Sequence, residues 1–113
     1  MHEIGALYQA VKTVDGIAKE HHIEQVKHIT LEVGELTGFL PVFFEKYFPI
    51  VVEDFPVMKD SELKLQIVRG EAICRKCESL YNVMRFEGAC PKCKSREKEI
   101  ISGQDFVISD IRY

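Results

Sequence analysis

The four cysteines of this chain form two pairs of identical spacing, Cys74-x-x-Cys77 and Cys90-x-x-Cys93, with twelve residues between them. Four thiolates in this pattern can close a tetrahedron around one zinc ion. Each C-x-x-C turn brings two sulfurs to one side, and the intervening segment is long enough to fold back as a hairpin. No cysteine is left over. Two disulfides would require an oxidising compartment, and no secretory signal is expected: residues 1–20 carry Glu3, Asp15 and Glu20 and lack an uninterrupted apolar core. A redox-active C-x-x-C ordinarily occurs singly on a strand-to-helix turn, not doubled in a hairpin. The expectation is one structural Zn(II) per chain, held by Cys74, Cys77, Cys90 and Cys93.

A chain of 113 residues fits one small domain, or one with a metal-stapled appendix. Zinc would supply folding energy where apolar residues are sparse. Charge separates the two parts. Between Gly70 and Ile100 seven Lys/Arg stand against five Glu, net +2, and the remainder holds eight basic and thirteen acidic residues, net −5. A mildly basic ribbon is not a dense basic stripe, and the acidic remainder would repel a phosphate backbone, so no nucleic-acid partner is expected. Apolar runs such as Pro49 to Val52 are too short to span a membrane. The expected location is cytoplasmic.

Periodicity organises the rest. Ile4, Leu7, Tyr8, Val11, Val14 and Ala18 recur at helical steps, giving an amphipathic helix to about Glu20. From Val26 to Leu36 the period becomes two, with Ile29, Leu31 and Val33 on one face, a half-buried strand that exits between Gly34 and Gly38. Pro41 opens a second, largely apolar helix, which Pro49 should kink or interrupt. Leu63, Leu65 and Ile67 alternate as a second strand. Ile100-Ile101 and Phe106 to Ile111 read as one further strand broken near Gly103. The cysteine segment, 70–100, is thus an insertion on two linkers, and 1–69 with 101–113 form the main domain.

The chain starts Met1-His2-Glu3. Methionine aminopeptidases generally spare Met before a bulky residue, so a free Met1 amine is expected. That amine, the His2 amide nitrogen and His2 Nδ1 can form fused chelate rings in one plane, with the Glu3 backbone nitrogen or carboxylate alongside. Amidate ligation in a square plane favours Ni(II) or Cu(II) over zinc. A chance histidine on a frayed terminus is the plainer alternative. His21 and His22 offer a second pair of metal ligands, but neighbouring residues point in different directions and placement near a helix C-terminus explains them as well; His28 fits a solvated strand face. Glu35, at the strand exit, reads equally as a partner contact or a polar loop residue.

Met1-His2-Glu3, the strand ending in Val33-Gly34-Glu35, the doubled C-x-x-C, and Ser102-Gly103-Gln104-Asp105-Phe106 at the last strand occur in one order. Together they make the chain resemble, over essentially its whole length, the HypA/HybF family of hydrogenase-maturation nickel metallochaperones. The resemblance implies an α+β fold, two helices on a three-stranded sheet with an inserted zinc-ribbon-like four-cysteine domain. It places the nickel ligands on His2, the Met1 amine and the Glu3 backbone, and zinc on the four cysteines. It implies a non-enzymatic role, with Ni(II) as transient cargo. Nickel would pass to the large subunit of [NiFe]-hydrogenase together with a nickel-handling GTPase, and in some members to urease accessory proteins. Family zinc modules often carry His beside the C-x-x-C pairs, whereas here no His follows His28. Exchange of the insertion between chains would give a homodimer. A zinc-ribbon nucleic-acid module or a protein adaptor without nickel affinity is the alternative.

Overall fold

The computed structural model describes residues 2–113. Helix α1 (Glu3–Glu20) buries Ala6, Leu7, Ala10, Val11, Val14 and Ala18. These positions are three and four apart, so they form one stripe along the helix. Its end is a Schellman turn: the His22 N–H bonds the Lys19 carbonyl at 3.3 Å and the Ile23 N–H bonds the Ala18 carbonyl at 2.8 Å. His22 takes the left-handed position (φ 56°) usually given to glycine. His21 and His22 are thus the exposed C-terminal cap of α1.

Strand β1 (His28–Gly34) buries Ile29, Leu31 and Val33 on one face. A 3-10 turn, Glu35–Thr37, follows and closes at Gly38 with φ 80°. Helix α2 (Pro41–Val51) packs against α1 and buries Phe44, Phe48 and Val51. Pro49 does not interrupt it. The helix runs to Val51 and tightens into a 3-10 turn at Val52–Asp54, because a proline in the last turn removes a single bond. After a third 3-10 turn, Pro56–Met58, strand β2 (Glu62–Val68) completes a crossover from β1.

The first sheet has the order β2-β1-β6, with β6 at Phe106–Arg112. Strand β6 is antiparallel to β1, since Lys27 N–H bonds the Arg112 carbonyl at one end and Gly34 N–H bonds the Asp105 carbonyl at the other. The second sheet has the order β4-β3-β5, from β3 (Glu71–Cys74), β4 (Leu80–Asn82) and β5 (Lys98–Ile100). Ile100 and Phe106 therefore belong to different sheets rather than to one interrupted strand. The reason is local: Gly103 turns the chain with φ 87° between them.

The chain divides into two compact units. One comprises the residues up to Glu32, Phe39–Gln66 and Val107–Tyr113; the other comprises Val33–Gly38 and Ile67–Phe106. In the first, Tyr8 meets Phe55 with ring centroids 5.5 Å apart and Phe39 meets Phe44 edge-on at 5.6 Å. In the second, a small core of Ala72, Cys74, Tyr81 and Cys90 is flanked by Val83, Phe86 and Ile100.

Candidate metal centre

The two C-x-x-C turns are built alike. Cys74 N–H bonds the Ser79 carbonyl and Glu78 N–H bonds the Cys74 carbonyl, both at 2.9 Å. Cys90 N–H bonds the Ser95 carbonyl and Lys94 N–H bonds the Cys90 carbonyl, also at 2.9 Å. Glu78 (φ 61°) and Lys94 (φ 68°) each take the left-handed conformation that swings the chain back. A longer repeat than C-x-x-C underlies this, Cys74-Arg75-Lys76-Cys77-Glu78-Ser79 and Cys90-Pro91-Lys92-Cys93-Lys94-Ser95. The doubled C-x-K-C-x-S is the sequence signal that both turns close on a serine.

The four Sγ atoms all lie within 4.8 Å of one another. Cys74 and Cys93 approach to 3.5 Å across the turns, as do Cys77 and Cys90. Four thiolates at about 2.3 Å from a zinc ion would stand about 3.8 Å apart, so this cluster matches a tetrahedral S4 site. Cys74 and Cys90 are buried in the small core, and Cys77 and Cys93 are exposed.

Hydrogen bonds to sulfur prepare the site for charge. The Cys74 thiol is lowered by the Cys77 and Lys76 N–H groups. Cys77 is lowered to about 6, first by the Ser79 hydroxyl and then by the Ser79 N–H. Cys93 has the Ser95 N–H favouring its thiolate, yet crowding by Cys74, Cys77 and Cys90 pushes it up to about 11. Crowding of the four sulfurs thus opposes their full ionisation, and a cation held among them would relieve it. Burial and the neighbouring sulfurs raise the Tyr81 phenol, whose hydroxyl donates to the Gly88 carbonyl at 3.3 Å.

The Met1 amine lies outside the described residues. His2 is exposed and caps α1 with extended backbone, its carbonyl accepting the Ala6 N–H at 3.1 Å and its side chain making no cap bond. Glu3 is the first helical residue. Its carboxylate accepts the Leu40 N–H at 2.9 Å, which, with its own N–H, holds its pKa below the usual carboxylate range. His28 is half-buried on β1.

Glu35 is half-buried and is not a free loop residue. Its Oε1 accepts the Gly70 N–H at 2.8 Å and the Asn82 amide at 3.1 Å. Those bonds, Gly70 first, hold its pKa low. Nothing in local sequence pairs Glu35 with partners 35 and 47 residues away.

A family model described as hydrogenase/urease nickel incorporation, metallochaperone, HypA, matches residues 1–113. The chain is similar to the hydrogenase maturation factor HypA of Francisella philomiragia, 33% identical over 98% of this chain and 97% of that protein. The factor of the same name from Desulfatibacillum aliphaticivorans is 32% identical over 98% of this chain and 85% of its own length. The fold is that of the solution structure of the Ni metallochaperone HypA from Helicobacter pylori, with a TM-score of 0.71 at 21% identity, covering 99% of this chain and 97% of that one. With a family model spanning the whole chain and relatives aligned nearly end to end, the chain belongs to the HypA family of nickel-incorporation metallochaperones, maturation factors rather than enzymes.

Proposed function

We propose that this chain binds Ni(II) at its N-terminus and delivers it to the large subunit of [NiFe]-hydrogenase, with one zinc per chain in the four-cysteine site. Nickel would be ligated by the Met1 amine, by the His2 amide and Nδ1, and by the Glu3 backbone nitrogen. The observation that carries this reading is the placement of His2 and Glu3 at the very start of α1. The first N–H groups of a helix have no intrahelical acceptor, so deprotonating them for a metal sacrifices no helical bond. The His2 side chain is exposed and uncommitted to capping. A few ligands at an exposed edge can be displaced one at a time by a receiving site, as transfer of cargo requires.

The relatives' names speak of hydrogenase maturation, and the Helicobacter pylori protein is called a Ni metallochaperone. The family model covers both hydrogenase and urease nickel incorporation. We place residues 1–69 and 101–113 in the nickel-handling part and 70–100 in the zinc part. A nickel-handling GTPase is the expected co-worker, urease accessory proteins are a second outlet, and the setting is the cytoplasm. A homodimer would follow from exchange of the zinc part between chains.

The test is a Ni(II) titration, followed by square-planar absorption bands, of wild type, His2→Ala and a variant extended before Met1. Loss of the bands in both variants is expected, with zinc unchanged at one per chain. Undiminished nickel binding in both would overturn the N-terminal site.

A further inference from the structure

We propose that Glu35, in the turn after β1, is a positioning residue for the four-cysteine site and sets how firmly that site holds its metal. The role rests on the reading that these cysteines hold zinc. All four lie between residues 74 and 93, yet the compact unit that contains them also takes in Val33–Gly38. Glu35 is the charged side chain with which this short segment holds the start of the cysteine region. One carboxylate oxygen, Oε1, receives both the Gly70 N–H and the Asn82 side-chain amide.

Those two donors are the roots of the hairpin that carries Cys74 and Cys77, half of the site. Gly70 precedes β3, which ends at Cys74, and Asn82 ends β4, paired with Glu71. Asn82 Oδ1 in turn accepts the Arg85 N–H at 2.8 Å, and Val83 N–H closes on the Gly70 carbonyl at 2.8 Å. One residue before Asn82, Tyr81 packs in the core with Cys74 and Cys90, and its hydroxyl reaches Gly88 ahead of the second turn. The carboxylate therefore fixes both strands at the end opposite the sulfurs.

Backbone packing shows that the clasp is built rather than incidental. A Cβ on Gly34 would collide with the Gly103 carbonyl, and one on Gly70 would stand 2.5 Å from Leu36 Cγ. Leu36 N–H bonds the Gly103 carbonyl at 2.7 Å, and Ser102 Oγ donates to the Arg69 carbonyl at 2.7 Å while accepting the Glu71 N–H at 3.2 Å. Gly70 is buried, so removing its acceptor leaves a donor that water does not readily satisfy. The ligand cage would then breathe at its base, and a chelator would reach the exposed Cys77 and Cys93 more often.

The experiment uses zinc-loaded full-length wild type, Glu35→Ala, Glu35→Gln and Asn82→Ala. Zinc transfer to the chromophoric chelator 4-(2-pyridylazo)resorcinol is timed, and amide exchange is read at Gly70 and at Leu7. Loss of the acceptor for the buried Gly70 N–H should speed zinc release in Glu35→Ala by about tenfold and unprotect Gly70, with Leu7 unchanged. Glu35→Gln keeps an oxygen acceptor and should stay within about twofold of wild type. Asn82→Ala, which leaves the Gly70 bond intact, should fall between. Equal release from wild type and Glu35→Ala, both zinc-loaded, overturns the role of Glu35 alone. Wild type that retains no zinc overturns the zinc reading and this role with it.

Discussion

The Glu3 carboxylate accepts the backbone N–H of Leu40 at 2.9 Å, tying the first residue of α1 to the residue that caps α2. Leu40 has no side-chain cap of its own. A carboxylate 37 residues away supplies the acceptor. A proposed nickel ligand is thereby anchored through its side chain. Glu3→Gln preserves an acceptor and should keep nickel affinity close to wild type. Glu3→Ala should weaken nickel binding and speed amide exchange at Leu40. Unchanged Leu40 exchange in Glu3→Ala would show that the bond does not fix the terminus.

Both hydrogen-bonded carboxylates impose a pH dependence of known sign. Glu3 and Glu35 have pKa values lowered in the fold, chiefly by the Leu40 and Gly70 N–H groups. The unfolded chain binds their protons more tightly than the folded one. Their contribution is fully present above the ordinary carboxylate pKa of about 4.3 and is lost as pH falls through the depressed folded values. Thermal melts should be flat in this respect from neutral pH to about pH 5 and then decline. In Glu35→Gln the decline should be shallower. An equally steep acid limb in that variant would remove Glu35 from the account.

Glycines in this chain should respond to alanine in opposite directions. Gly103 has φ 87°, and a Cβ there would stand 2.5 Å from Gly70 Cα, a backbone atom that cannot swing aside. Gly103→Ala should cost on the order of 2–4 kcal/mol, from strain and overpacking together. Gly16 lies exposed within α1 with nothing within 4 Å of its would-be Cβ. Gly16→Ala should stabilise by about 0.5–1 kcal/mol through helix propensity alone. Denaturant melts at constant m-value check both.

What sequence alone revealed here depends on how local each interaction is. Apolar periodicity marked α1, α2, β1 and β2 because burial repeats within each element. The four cysteines marked their own cluster because the two turns are short and alike. Residues 100 to 111 misled, since two short apolar runs look the same whether they continue one strand or enter two sheets. Pro49 was expected to kink or interrupt α2, and the interruption is absent because the rule that proline breaks a helix weakens in the last turn, where few bonds remain to lose. Glu35 was invisible in role. A single acid at a strand exit gives no hint of a glycine N–H at 70 and an amide at 82, which only the packed linkers bring to it.

Metal removal should expose a hierarchy among thiols that are equivalent in sequence. Cys77 is exposed and lowered to about 6 by the Ser79 hydroxyl and N–H. Cys93 is also exposed but is pushed up to about 11, with crowding by Cys74, Cys77 and Cys90 outweighing the Ser95 N–H. Cys74 has a lowered pKa but is buried. Reaction with iodoacetamide needs both thiolate and access. In chelator-treated protein at pH 7, Cys77 should therefore be carboxamidomethylated first and Cys93 later, with peptide mass spectrometry giving the order. Ser79→Ala should slow the labelling of Cys77, because the hydroxyl that stabilises its thiolate is gone. Metal-loaded protein should resist labelling at all four positions, since the electron pairs that attack the reagent are then bound to the ion. Cys93 labelled as fast as Cys77 in the metal-free protein would mean that the crowded cluster relaxes once its ion has left.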